Sequence, residues 1–146
     1  MRKKLLVIIG LVTVVLFSSV SDGWCKGIIY NVRSNLSKDR HGYTVNANWD
    51  INYKHWKYDF NTITRKAGVW MDCVSTYDRK GYTYKKVIGS ACLPGLSKKR
   101  SGAGTLSCHL SKRQIPGNGR HMWVRIKVKI AGRWENPIWV YAGRIR

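Results

Sequence analysis

At 146 residues, with 27 lysines and arginines against 7 acids, the chain carries a formal net charge of +20 and is 44% hydrophobic. That length suits one domain able to bury its own core rather than a string of domains. Solubility needs only a modest charge of either sign, so an excess this large points to an anionic partner.

In chain order, Met1, Arg2, Lys3 and Lys4 put positive charge directly before an apolar run, residues 5–17, that gives way to Ser18, Ser19, Val20, Ser21, Asp22 and Gly23. This is the layout of a secretory signal peptide, with cleavage expected before Trp24 after the small residues Ser21 and Gly23. The run is shorter than the roughly 20 apolar residues that span a bilayer. Asp22, Gly23 and Trp24 ahead of Cys25 do not make a lipobox, and no second hydrophobic segment follows. The expected organisation is a signal peptide over 1–23 and a single β-sandwich domain over 24–146, secreted to the extracellular space or periplasm. Its charge is lopsided: residues 24–78 hold 8 cations and 5 acids, residues 79–146 hold 16 cations and only Glu135.

Strands are expected over 28–33, 43–53, 56–60, 69–77, 82–88, 105–110, 122–130 and 138–141. The clearest is 43–53, where Tyr43, Val45, Ala47, Trp49, Ile51 and Tyr53 share one face and polar residues the other, the period of a half-buried strand. In 122–130, Met122, Val124, Ile126, Val128 and Ile130 point inward while Trp123, Arg125, Lys127 and Lys129 point outward. Asp78, Arg79, Lys80 and Gly81 read as a hairpin turn, and Pro116, Gly117, Asn118 and Gly119 as a second turn. Residues 93–104, rich in glycine and carrying Lys98, Lys99 and Arg100, read as an irregular basic loop. No helical apolar spacing persists for ten residues, so helix should be minor. The fold class is therefore all-β: a compact antiparallel β-sandwich, immunoglobulin-like or similar, of about seven to eight strands.

The run Trp123, Val124, Arg125, Ile126, Lys127, Val128 followed by Gly132, Arg133, Trp134, Asn136, Pro137, Ile138 and Trp139 resembles the final hairpin of fibronectin-III-like and immunoglobulin-like sandwiches. The resemblance covers under a fifth of the mature chain and implies topology only, because such folds carry many unrelated functions. The chain departs from that pattern at Leu106, which stands two residues before Cys108 where those domains carry a tyrosine.

In an oxidising compartment the four cysteines Cys25, Cys73, Cys92 and Cys108 read as two disulfides, with three pairings open. A zinc site is disfavoured, since no two of them have the close spacing of a zinc knuckle. Neither paired histidines four apart nor a glycine-rich phosphate loop occurs, so no cofactor is expected.

The candidate binding surface comprises Arg125, Lys127 and Lys129 on one strand face, the loop residues Lys98, Lys99 and Arg100, and Lys112, Arg113 and Arg120. Like charges crowded on a strand repel, and an anion lying across them relieves that repulsion. Trp123 beside Arg125 adds a stacking surface for sugars or bases, whereas Trp49, Trp70 and Trp139 are expected to fill the core or brace loops. The function expected is non-covalent binding of an anionic polysaccharide, lipid or nucleic acid. The alternatives are a secreted basic hydrolase or toxin, such as a ribonuclease using His109 or His121 with Glu135 and Arg125, or an inhibitor or adhesion protein for an acidic protein partner that inserts the 93–104 loop.

Overall fold

Alternation in the sequence becomes alternation in burial. The computed structural model describes residues 27–97 and 102–146; the signal segment, Cys25, Lys98, Lys99 and Arg100 lie outside the described residues. In β2 (Gly42–Ile51), Tyr43, Val45, Ala47, Trp49 and Ile51 are all buried, and in β6 (His121–Ile130) so are Met122, Val124, Ile126, Val128 and Ile130. Among the described residues these two rows come from different sheets and supply ten of the twenty-three buried residues of the core cluster.

One sheet has the order β1 (Ile29–Lys38), β2, β5 (Ala103–Ser111). The other runs β4 (Tyr82–Leu93), β3 (Ala67–Arg79), β6, with the two-residue β7 (Arg133–Trp134) and β8 (Ile138–Arg144) both pairing with β6. All pairings are antiparallel. The chain is thus an antiparallel β-sandwich of eight strands among the described residues. In the constant-type immunoglobulin order, strands 1-2-5-4 face 3-6-7; here the fourth strand lies on the edge of the opposite sheet, widening the face on which β6 is central. Side chains tie the lateral openings. The Ser34 hydroxyl donates to the Tyr141 carbonyl at 3.1 Å, and the Gln114 amide donates to the Ile88 carbonyl at 3.0 Å.

Two hairpins turn through residue pairs with positive φ, Lys80–Gly81 (51° and 77°) and Ala131–Gly132 (46° and 81°). Such turns match the twist of the strands they join. One glycine is required by packing. A Cβ on Gly104 would collide with the Trp49 indole and the Leu96 carbonyl, the same carbonyl that accepts the Trp49 Nε1 hydrogen at 3.0 Å.

The strand expected over 56–60 does not form. Asp59 accepts the Thr62 N–H at 2.7 Å and caps a short helix, α1 (Phe60–Arg65), whose Ile63 is buried. The aromatic density that suggested a strand instead packs locally, with Tyr53 against Phe60 at 5.2 Å and His55 against Tyr58 at 5.5 Å. Strand β4 runs five residues past its expected end, and a one-turn 3-10 helix, Lys112–Gln114, follows β5. The expectation of two disulfides is not met by the three described cysteines: Cys73, Cys92 and Cys108 stand as thiols, and Cys92 points away from the other two, exposed on β4. Among the described residues no helix is long and apolar enough to cross a membrane.

Candidate anion-binding face

The outer face of the five-stranded sheet gathers the chemistry. Because β6 alternates, His121, Trp123, Arg125, Lys127 and Lys129 emerge on one side, as expected from the sequence. Register then decides their neighbours: on β3, Asp72 lies opposite Arg125, Trp70 opposite Lys127 and Val74 opposite Trp123. On β8, Trp139 lies opposite Arg125 and Tyr141 opposite Trp123.

Asp72 changes the electrostatics of this stripe. Its Oδ2 accepts from Arg125 at 3.0 Å (Nε) and 2.6 Å (Nη2) and lies 2.9 Å from Lys127 Nζ, while its Oδ1 accepts from Ser90 at 3.0 Å. Burial pushes the Asp72 carboxyl up, but the hydrogen bonds from Lys127, Arg125 and Ser90, with the charge of Lys127, outweigh it and hold the group below the usual carboxylate range. The protein's own carboxylate therefore relieves part of the repulsion that a ligand was expected to relieve.

The cations of the face also rest on aromatic rings. Lys85 Nζ and the Arg125 guanidinium lie 5.0 Å and 5.5 Å from the Trp139 ring centre, and Lys127 and Lys129 lie 5.8 Å and 5.5 Å from that of Trp134. Contacts of this kind contribute about 0.5–1 kcal/mol each at exposed sites. They also hold long side chains in place before any ligand arrives, which lowers the ordering cost of binding. Trp70 meets Trp134 edge-on at 4.9 Å.

At one end the face deepens into an open groove of about 740 Å³ lined by Thr76, Thr83, Lys85, His121, Trp123, Trp139 and Tyr141. Trp123 and Tyr141 form a corner, their rings 5.1 Å apart at 61°, and His121 Nδ1 lies 3.0 Å from the Tyr141 hydroxyl. Trp139 is 41% exposed and Tyr141 44%, so both offer ring faces to solvent. Trp139 is thus not a core residue, contrary to expectation. Trp49 is in the core, as expected, at 2% exposure.

The other candidate cations do not all join this face. Lys112 and Arg113 sit on the 3-10 helix after β5, and Lys112 lines a second hollow of about 450 Å³ with Lys38, Tyr43 and Arg146. There the Arg146 carbonyl already accepts from Lys38 Nζ at 2.9 Å and from the Tyr43 hydroxyl. Arg120 stands between the two regions, its N–H donating at 3.0 Å to the carbonyl of Thr76, a groove residue. Lys85, Asp72, Trp139 and Tyr141 are the functional candidates that sequence reasoning missed, whereas Trp134, like Trp123, was a stacking candidate from its place in a turn beside the cations. Alternation of Trp139 and Tyr141 against Ile138, Val140 and Ala142 was the signal available for β8.

The hydrolytic constellation is not assembled. His109 lies on β5 of the three-stranded sheet, 3.7 Å from Asp39 and 3.3 Å from the Thr44 hydroxyl, whereas His121 is on the other sheet. Glu135 accepts from the Tyr58 hydroxyl at 2.9 Å, and its N–H donates to Val128, seven residues along β6 from His121 and so about 23 Å away. No cluster of three metal-ligating side chains occurs among the described residues. No protein-family model, curated protein or solved structure matches the chain.

Proposed function

We propose that this protein is a secreted binding module for an anionic polymer, specifically a polysaccharide bearing carboxylate, sulfate or phosphate groups, held along the outer face of the five-stranded sheet. The observation that carries this reading is the Trp139 ring flanked by Lys85 and Arg125 at the wall of a groove that Trp123 and Tyr141 complete. A sugar presents an apolar ring face, hydroxyls and a charged substituent within one residue, and the groove offers ring faces, the hydroxyls of Thr76 and Tyr141, and cations within the same span. The angled Trp123–Tyr141 corner suits a chair-shaped ring touching two walls better than a flat base, which stacks on one. The wide charge excess after residue 78 would draw such a polymer in from a distance.

The test is a binding titration of purified protein with heparin as the anionic probe, neutral dextran as the uncharged control and a single-stranded oligonucleotide as the rival polyanion. Heparin binding that weakens steeply with salt, with no dextran binding, is the expected result. Passage through a heparin column at low salt would overturn the reading, and tighter binding of the oligonucleotide at equal charge would replace the polysaccharide with nucleic acid.

A further inference from the structure

Two of the thiols belong together. Cys73 points inward from β3 with no exposure, and Cys108 points inward from β5, on the opposite sheet, at 8% exposure. The cross-strand neighbour of Cys73 on β4 is Gly89. A Cβ on Gly89 would collide with the Leu110 side chain and stand 3.2 Å from the Cys108 sulfur, so the missing side chain leaves room for Leu110 and brings this sulfur close to the strand position beside Cys73. The pairing skips Ile88 between Gly89 and Val87, a bulge that sets the strand's approach at this point. Both side chains enter the core from facing sheets, and Cys108 is near enough to push the Cys73 thiol up. Cys92 cannot compete: it lies opposite Trp70 on the outer face of the same sheet and is exposed.

We propose that Cys73 and Cys108 form an inter-sheet disulfide when the exported chain meets a disulfide donor, a small-molecule disulfide or an oxidised dithiol protein. One protein thiolate attacks a donor sulfur, the donor S–S bond breaks, and one donor thiolate leaves. The second protein thiolate then attacks the protein sulfur of the mixed disulfide and expels the other half of the donor. The protein loses two protons and two electrons, and the donor disulfide takes up both to become two thiols. The attacking species is the thiolate. In the closed sandwich both sulfurs are buried away from a donor, and burial first and the neighbouring Cys108 second push the Cys73 thiol far up from its usual range, so the folded Cys73 thiol is nearly inert. The bridge therefore forms while the two sheets are still apart, and the finished core then shields it from reductant. Pairing 73 with 108 leaves Cys92 and Cys25 for other uses.

The experiment is peptide mapping of protein exported to an oxidising compartment. Remaining thiols are alkylated under denaturing conditions, the protein is digested without reduction, and the peptides are read by mass spectrometry. A single linked species joining the Cys73 and Cys108 peptides, two hydrogens lighter than their sum and split by reductant, is expected. Reduction of the unfolded protein before refolding should lower the thermal midpoint by about 10 °C. In the Cys73→Ala/Cys108→Ala double variant, where it folds, the midpoint should not respond to reductant through this pair. Recovery of both residues alkylated, or of either joined to Cys25 or Cys92, would overturn the proposal, and this mapping needs only the wild-type chain.

Discussion

Replacing Asp72 by asparagine separates the two roles of its carboxylate. In the fold it is the acceptor for Arg125, Lys127 and Ser90. Asparagine keeps the shape and one acceptor oxygen but removes the charge. Breaking a fully buried ion pair by removing one partner costs about 3–5 kcal/mol. Here the Arg125 and Lys127 side chains each keep 32% of their surface in water, so solvent takes up part of the loss and about 2 kcal/mol is expected. Denaturant unfolding should show this as a lower midpoint with an unchanged slope. The loss depends on pH. The folded carboxyl lies below its ordinary value of 3.8, so its stabilisation is fully present above that value and disappears as pH falls through the folded one. Wild type and Asp72→Asn should therefore differ at neutral pH and converge in acid, below about pH 4.

The same variant should bind an anionic polymer more tightly, because one cancelled positive charge returns to the stripe. One further counterion released steepens the slope of log affinity against log salt by about 0.7–0.9, which at 0.1 M salt is about six-fold in affinity. Isothermal titration against heparin over a series of salt concentrations measures both quantities. A folded Asp72→Asn protein with wild-type affinity and wild-type salt slope would refute the idea that polyanions meet this face. Loss of stability together with gain of binding is the combination that a merely structural ion pair does not produce.

Two further substitutions test the groove and the core separately. Trp139→Ala removes the ring that Lys85 and Arg125 flank, and it should weaken heparin binding about ten-fold, on the scale of one lost stacking contact, in the same titration. Its thermal midpoint should move less than on loss of a core tryptophan, since Trp139 already leaves 41% of its surface in water. Gly104→Val drives a side chain into the Trp49 indole and the Leu96 carbonyl, and it should cost about 3 kcal/mol in denaturant unfolding.

How far the sequence revealed this molecule depended on what each feature required. Strands β2 and β6 were legible because period-two alternation is local, and the same period put Arg125, Lys127 and Lys129 on one face with Trp123. Asp72 was not legible as their counter-charge, because that pairing arises from the β3–β6 register over a separation of 53 residues. Trp139 was expected to fill the core or brace a loop, yet β8 sits at the side of the sheet where one face of its alternation stays in water. Residues 56–60 suggested a strand by composition, while a single cap, Asp59, turned the chain into a helix. The basic cluster split for a related reason: Lys112, Arg113 and Arg120 are near in sequence to β6, but the 3-10 helix and the Pro116–Gly119 turn carry the first two to the end of the sandwich.

These placements shift the expected centre of binding away from the middle of β6. Cations at alternate positions of one strand stand about 7 Å apart, and on a dry sheet three of them in a row would strain the fold. Asp72 removes that strain at Arg125 and Lys127, and in doing so blunts the charge that a ligand meets there. Lys85 has no carboxylate within ion-pairing distance among the described residues and lies on the Trp139 ring at the groove wall, so its charge remains available to a polyanion. Lys85→Ala should then weaken heparin binding several-fold more than Lys127→Ala, although both remove one lysine and shift the net charge equally. Lys127→Ala should instead show its effect in stability, by leaving Asp72 with Arg125 as its one cation among the described residues. Equal binding losses from the two variants would mean that total charge alone governs association, and the aromatic groove would lose its role in the argument.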